Sequence, residues 1–284
     1  MRPSCSRART AFALASMLGA FATSLPAAHL YPETEVEWTA YMAATEARIG
    51  RELAAAHGFL AMDFGQAAAA DRGAVVGGSV VVRRVETLDT RGERIQVPSA
   101  LVHHWRGAVL IPGMTVARLI SQLQDGAPPT RQEDVLQSRV LERGPNRMKV
   151  YLKLQRRKIV TVVYNTEHLI TFARHGAARA TSASTATKVA EVSDPNTPQE
   201  RELPLGDDRG FLWRLSSYWR YEDVPGGVIA ECESISLSRD VPSLVRDLVN
   251  PLIERTARES MERTLLALRS RFGSPTLPAS LPVR

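Results

Sequence analysis

The sequence predicts an α+β fold in which a curved antiparallel sheet wraps around a long C-terminal helix, with a further helix added at the N-terminus. Residues 79–240 consist mostly of segments with strand-like alternation, and tight turns separate these segments. An amphipathic segment at helical spacing follows them. Strands joined by tight turns pair antiparallel and leave one face to bury, and the terminal helix is expected to cover that face.

The first 28 residues have the pattern of a secretory signal peptide. A basic start is followed by an apolar run at 11–21 and by small residues at 20–22 and 26–28, two candidate cleavage sites. The apolar run is too short to span a bilayer. We therefore expect residues 1–28 to be a signal peptide and the protein to be exported, as a periplasmic or secreted protein.

The remaining composition is that of one globular domain with extensions. The chain has 284 residues, of which 44% are hydrophobic and 23% charged, as in ordinary soluble domains. The formal net charge of +6 falls to +3 once the three arginines of the signal segment are removed. A charge of this size gives no support for nucleic-acid binding.

Cysteine usage fits an exported protein that is held together by its core. The sequence contains Cys5 and Cys232, and signal cleavage removes the first, which excludes an internal disulfide. Cys232 is either a nucleophile or a small spacer on the outer face of a strand. The sequence favours the spacer, since a nucleophile needs a neighbouring base.

The N-terminal part is predicted to be a helical extension and linker over residues 29–78. Residues 35–63 carry an apolar stripe at helical spacing, formed by Trp38, Tyr41, Met42, Ile49 and Leu53. Residues 67–78 are rich in alanine and glycine and read as a linker. Strands are expected at 79–90 and 100–113, and a helix at 115–124.

A meander of four strands follows. The strands are predicted at 135–141, 148–154, 160–172 and 178–192, with a polar loop at 194–209. Alternation about the turn at 156–158 places Tyr164 and His168 on the inner face.

A hairpin over Phe211–Arg239 folds on the turn Pro225-Gly226-Gly227. We expect Glu222 to lie opposite Val228, since this pairing separates the arginines from the large apolar groups. A slip of one residue would bury arginines, at a cost of several kcal/mol for each unpaired charge. The opposite face then carries Cys232 and the arginines. The inner face carries Phe211, Trp213, Leu215, Ser217, Trp219, Tyr221, Ile229, Glu231, Glu233, Ile235 and Leu237.

Residues 241–272 are predicted to be helical, with an interruption at Pro251 and a corner near 250–256. The last residues, 273–284, are expected to form a flexible tail.

The order of these elements resembles the START/SRPBCC superfamily, which has the helix-grip fold. The runs WRLSSYWRYED, GGVIAECESISLSRD and ESMERTLLALR carry the resemblance, which covers residues 79–272. The chain is similar to the exported, mostly uncharacterised bacterial branch described as polyketide cyclase/dehydrase-like. The resemblance implies a hydrophobic pocket for lipids, steroids or polyketides, and only some members are enzymes.

The polar groups expected in such a pocket are two carboxylates and a histidine–tyrosine pair. Glu231 and Glu233 beside apolar walls would have a raised pKa and could donate a hydrogen bond or act as acid–base. Alternatively they lie at the cavity mouth or pair with Arg246, Arg255 or Arg258 of the terminal helix. The expected ligand-binding residues are Tyr164, His168, Trp213, Leu215, Ser217, Trp219, Ile229, Glu231, Glu233, Ile235 and Leu237.

No metal or cofactor is expected. His103 and His104 are adjacent in a strand, so their rings point to opposite faces and cannot share a metal ion.

His168 either orients an oxygenated ligand or is satisfied by a backbone carbonyl. The basic turn at 156–158 either makes a transient contact with an anionic membrane surface or is simply solvated.

Three functions remain open at this stage. The leading hypothesis is a carrier that holds a hydrophobic small molecule, lipid or polyketide-like, between the sheet and the terminal helix without chemistry. The alternative is a cyclase or dehydratase-like enzyme that uses Glu231 or Glu233 as acid–base. The third is a periplasmic protein-interaction module that engages an unknown partner through its N-terminal helix or its pocket.

Overall fold

The computed structural model describes residues 28–125, 134–157, 161–204, 206–240 and 246–273. Within these ranges the chain forms four α-helices, one 3-10 helix and nine strands. The helices are α1 (Pro32–Leu53), a 3-10 helix (Ala61–Phe64), α2 (Ala68–Val76), α3 (Val116–Gln124) and α4 (Arg246–Phe272). The strands are β1 (Val81–Arg84), β2 (Ala100–Pro112), β3 (Val135–Arg143), β4 (Arg147–Arg157), β5 (Thr161–Arg174), β6 (Arg179–Ser193), β7 (Arg201–Glu202), β8 (Arg214–Val224) and β9 (Gly227–Arg239).

The described strands make one antiparallel sheet in the order β1-β2-β9-β8-β6-β5-β4-β3, with β7 beside β6. The sheet is curved, so that β2 near one edge and β3 at the other edge both line the space beneath the same helix, α4. This arrangement confirms the predicted α+β helix-grip fold. The four strands of the meander and α3 lie where the alternation predicted them, and the Thr115 side chain caps α3 by accepting the Arg118 N–H at 3.3 Å.

The N-terminal region differs from the prediction. Helix α1 ends at Leu53, and residues 68–76 form helix α2 where a linker was expected. The alanine-rich start of this segment favours helix, and Val75 anchors it because its side chain is fully buried.

The C-terminal helix is also simpler than predicted. Helix α4 runs unbroken from Arg246 to Phe272, so the expected corner at 250–256 is wrong. Pro251 lies in the second turn of the helix, where its missing N–H removes one hydrogen bond near the helix start. Further along, α4 packs closely on β2, since a Cβ at Gly107 would lie 2.7 Å from Leu265 Cδ1 and 2.8 Å from Met261 Cγ.

Strands β2, β8 and β9 are buried on both faces. The concave face carries an apolar cluster with α3 and α4, in which Val109, Ala230 and Leu265 are fully buried. The convex face is covered by α1, the 3-10 helix and α2, and its two clusters are built around residues such as Trp38 and Leu60. The N-terminal segment therefore forms a third layer over the sheet.

The predicted signal peptide and tail lie almost wholly outside the described residues. The described chain begins with Ala28, which is buried among Trp38 and Trp213 and whose N–H donates to the Asp208 carbonyl at 2.9 Å. No helix in the described ranges is both long and apolar enough to cross a membrane. The domain boundaries at 29–78 and 79–272 stay a prediction.

Candidate ligand cavity

A cavity of about 520 Å³ lies between the concave face of the sheet and helix α4. Strands β2 to β6, β8 and β9 contribute to its wall, and α4 forms its roof. Its volume is within the range of small-molecule sites, roughly 300–1,000 Å³. The wall is mainly apolar, with these large side chains: Trp105, Leu152, Leu154, Val162, Ile170, Phe211, Leu212, Leu215, Trp219 and Met261.

Hydroxyl groups interrupt the apolar wall on both the sheet and the helix. Alternate residues of β9 present a row of serines, Ser234, Ser236 and Ser238, to the cavity. Helix α4 presents Ser260 and two threonines from the opposite side. A neutral oxygenated group on a ligand would therefore find hydrogen-bonding partners on both the sheet and the helix.

His168 lies in the cavity wall, and its Nδ1 atom is available as a hydrogen-bond acceptor. The Thr166 hydroxyl donates to the Leu152 carbonyl at 3.0 Å, so it accepts from His168 Nε2, also at 3.0 Å. Nδ1 is then the unprotonated nitrogen, and its contact with Ser184 Oγ is long, 3.4 Å. Burial lowers the pKa of His168 to about 4, so the ring is neutral near pH 7. Of the two alternatives for His168, the one with a backbone carbonyl as partner is wrong, because a threonine hydroxyl takes that place.

His103 lies on the cavity wall formed by β2, and its Nε2 is 2.9 Å from Ser238 Oγ. Burial, with a smaller effect from the charge of Arg84, lowers its pKa to about 4. The ring of His104 points to the opposite face, as predicted, where Nε2 contacts Glu233 Oε1 at 2.7 Å and Nδ1 contacts the Tyr41 hydroxyl at 2.8 Å. Within the described residues, no three potential metal ligands are grouped.

The predicted register of the hairpin is wrong by one residue. Glu222 lies opposite Ile229, because only Pro225 and Gly226 form the turn and Val224 pairs with Gly227. The positive φ of Gly226, 92°, allows this two-residue turn. Since side chains alternate across a strand, the shift exchanges the two faces of β9.

Glu231 and Glu233 consequently point away from the cavity, into the layer beneath the N-terminal helices. Glu231 accepts the N–H of Ala61 and, at 2.9 Å, the N–H of Met62. Glu233 binds His104 and also Arg48 of α1. Glu233 does pair with an arginine, as one alternative expected, but this arginine belongs to α1 and not to the terminal helix α4.

The energetic argument for the predicted register failed because the N-terminal layer supplies partners for the buried arginines. Arg220 is 3% exposed, yet its guanidinium donates to Glu52 Oε2 at 2.5 Å and to the Phe59 carbonyl at 2.9 Å. Ion pairing removes most of the free-energy cost that was assumed for burying an unpaired arginine. The sequence offered no sign that residues 29–78 would cover this face.

The predicted ligand-binding residues therefore divide into two groups. Five line the cavity: Tyr164, His168, Leu215, Ser217 and Trp219. Six lie instead on the convex side, against the N-terminal layer: Trp213, Ile229, Glu231, Glu233, Ile235 and Leu237. The strand alternation of β5 was unambiguous and gave the correct face, whereas the hairpin depended on the length of its turn.

The same shift brings residues to the cavity that the sequence interpretation placed outside. Cys232 lines it beside Trp219, with the serine row of β9. Burial raises the pKa of the Cys232 thiol well above its usual value, with smaller effects from Glu233 and Glu231. A protonated thiol is a poor nucleophile, so the role of small spacer still fits Cys232, although on the inner face.

Several solved structures are similar to this chain at low sequence identity. A STAR-related lipid transfer protein fragment from Xanthomonas axonopodis is 18% identical, with coverage of 66% of this chain and 98% of that one and a TM-score of 0.43. Human STARD10 is 14% identical, with coverage of 66% and 69% and a TM-score of 0.41. The Zhui aromatase/cyclase from a Streptomyces species is 10% identical, with coverage of 61% and 93% and a TM-score of 0.39.

All three TM-scores are below 0.5, so these likenesses assign neither a family nor a ligand to this chain. No protein-family model matches the chain, and no curated protein does.

Proposed function

We propose that this START-like protein is exported and carries a hydrophobic small molecule, lipid or polyketide-like, in the cavity beneath α4 without altering it chemically. The observation that supports this proposal is the cavity itself, which combines apolar walls with a few hydroxyl groups. Apolar contact would supply most of the affinity, and the serines with His168 would orient the ligand.

The cavity chemistry favours a carrier over a cyclase or dehydratase. Glu231 and Glu233, the acid–base candidates, lie on the other face of the sheet. Of the described groups that line the cavity, both histidines have pKa values near 4 and burial raises the pKa of the Cys232 thiol, while the one carboxylate, Asp134, is held by Arg156 and Arg263. A general acid–base works best with a pKa near the operating pH, and the histidines and the thiol do not meet that condition.

The position of helix α1 does not favour a protein-interaction module that would use the apolar stripe of this helix. Trp38, Tyr41 and Ile49 are buried against the sheet and are not available to a partner.

Native mass spectrometry of protein purified from the periplasm tests the carrier function. We expect a co-purifying small molecule on the wild type and its loss from Ser217→Trp, which fills the cavity. Ser121→Trp on the exposed face of α3 is the matched control and should retain the ligand. A wild type that is persistently empty, or a ligand that survives in Ser217→Trp, contradicts the proposal.

The same spectra test export through the mass of the mature chain. Cleavage after Ala22 leaves Ala28 in place, whereas cleavage after Ala28 removes a buried residue and its hydrogen bond to Asp208. We therefore propose cleavage after Ala22, and a mature chain that begins at His29 would contradict it.

A further inference from the structure

One end of the cavity carries a charged group that the carrier function does not by itself require. Arg156 of β4 donates from Nη1 to Asp134 Oδ2 at 2.6 Å and to Ser260 Oγ at 2.7 Å. Arg263 of α4 donates to the same oxygen, Asp134 Oδ2, at 2.9 Å. Two guanidinium groups thus share one carboxylate oxygen.

This arrangement leaves positive charge on the cavity wall. Asp134 is the only carboxylate among the described residues that line the cavity, and Arg156 lines it too, whereas Arg263 approaches Asp134 from outside the lining. The Arg156 side chain is 41% accessible, yet burial lowers its pKa. These two facts agree if its accessible surface faces the internal space of the cavity and not bulk solvent.

A hydrogen-bond donor without a described partner lies on the same face of the sheet, where Glu191, Asp208 and Arg209 act on it together with Arg156. Tyr164 is 2% exposed, lines the cavity, and its hydroxyl has no hydrogen-bonding partner among the described residues. Tyr164 lies opposite Leu154, so it is a diagonal neighbour of Arg156 on the same face of the sheet. A buried hydroxyl without a partner costs free energy unless a ligand satisfies it.

We propose that Arg156 and the Tyr164 hydroxyl bind the acidic head group of an amphipathic ligand, a carboxylate or a phosphate monoester. The apolar chain of the ligand would then lie along the wall that contains Leu152 and Trp219. The guanidinium and the phenol both donate, and an anion accepts from both at once. This inference rests on the proposed carrier function and adds the chemical class of the ligand.

Calorimetry with three probes of one alkyl chain length tests the head-group preference on the mature protein. The probes are a long-chain carboxylic acid, its methyl ester and the corresponding alkyl phosphate. We expect the wild type to bind at least one anionic probe about tenfold or more tightly than the ester, because hydrogen bonds to charged groups are strong. The acid and phosphate arms distinguish the two sources of negative charge.

Two variants assign the preference to these residues. Arg156→Gln should lose the preference for the anion and keep its affinity for the ester, while Arg118→Gln on the exposed face of α3 should behave as the wild type. Tyr164→Phe should weaken anion binding several-fold and leave the melting temperature of the ligand-free protein unchanged or higher, since the hydroxyl has no described partner to lose.

The outcomes separate this inference from the carrier function. Equal binding of acid, phosphate and ester by the wild type would overturn the anion site and leave the carrier function standing. An anion preference that survives in both Arg156→Gln and Tyr164→Phe would also overturn it. If no probe binds and native spectra show an empty protein, both proposals fail together.

Discussion

Glu231 and Glu233 lie two residues apart on β9, yet their surroundings move their pKa values in opposite directions. Burial raises the pKa of Glu231 to about 7, against the opposing effects of Arg106 and the Met62 N–H. Burial acts in the same direction on Glu233, but His104 and Arg48 outweigh it and hold the pKa below its ordinary value. Both carboxylates have a guanidinium nearby, but Arg48 and His104 form hydrogen bonds with Glu233, whereas Arg106 Nε lies 3.9 Å from Glu231 Oε2.

Glu231 should make the stability of the protein depend on pH. Its folded pKa of about 7 lies above the ordinary value of 4.5, so folding favours the protonated form. Its contribution is fully present below about pH 4.5 and declines as the pH rises through 7, by roughly 3 kcal/mol in total.

Urea unfolding of the wild type and of Glu231→Gln at several pH values measures this effect. The difference between their unfolding free energies should change between pH 4.5 and 7 and be constant above about pH 8. Parallel curves for the two proteins would show that Glu231 does not titrate in this window.

At the scale of elements, helix α4 depends on a glycine in the strand beneath it. A methyl group at Gly107 would meet Leu265 and Met261 at less than 3 Å. Because the roof of the cavity packs on β2 at this point, a residue larger than glycine would lift α4 from the sheet.

Gly107→Ala should therefore destabilise the protein by about 1–3 kcal/mol through overpacking. Gly50→Ala is the matched control, since Gly50 lies in helix α1 with nothing within 4 Å of an added Cβ. It should stabilise the protein by about 0.5–1 kcal/mol. Chemical unfolding measures both, and a Gly107→Ala protein as stable as the wild type would contradict the close packing.

The elements of the sheet could be predicted from sequence, but the faces of the hairpin could not. Alternation in the meander fixed the face of Tyr164, because polar and apolar residues there differ clearly. In β9, Glu231, Ile235 and Cys232 are all buried, and a strand buried on both sides has no polar face to define its register. The length of the turn then decides the register, and the sequence did not distinguish a turn of two residues from a turn of three.

At the scale of the whole molecule, the N-terminal layer completes the fold. It covers Trp213, Ile235 and Leu237 on the convex face and supplies Arg48 to Glu233. Without it, these apolar side chains would be exposed and the buried carboxylates would lose their partners.

Deletion of residues 29–78 should therefore prevent the rest of the chain from folding as a stable unit. We expect a protein that is insoluble, or that binds the dye ANS and lacks near-UV circular dichroism. Deletion of residues 274–284, which lie within the predicted tail of residues 273–284, is the control and should preserve cooperative unfolding. A truncated 79–284 protein that unfolds cooperatively would show that the two segments are independent domains.

Strand β9 separates ligand preference from folding stability, two properties that usually change together. Its odd-numbered residues, such as Glu233 and Ile235, contact the N-terminal layer, while its even-numbered residues from Cys232 to Ser238 face the cavity. Substitutions at the even positions can therefore alter what the cavity accepts while the contacts that maintain the convex side stay in place. During divergence of such a protein, ligand preference can drift along one half of the strand at little risk to folding, and a mutant library confined to Ser217, Ser234 and Ser236 would explore new ligands with most of its members still folded.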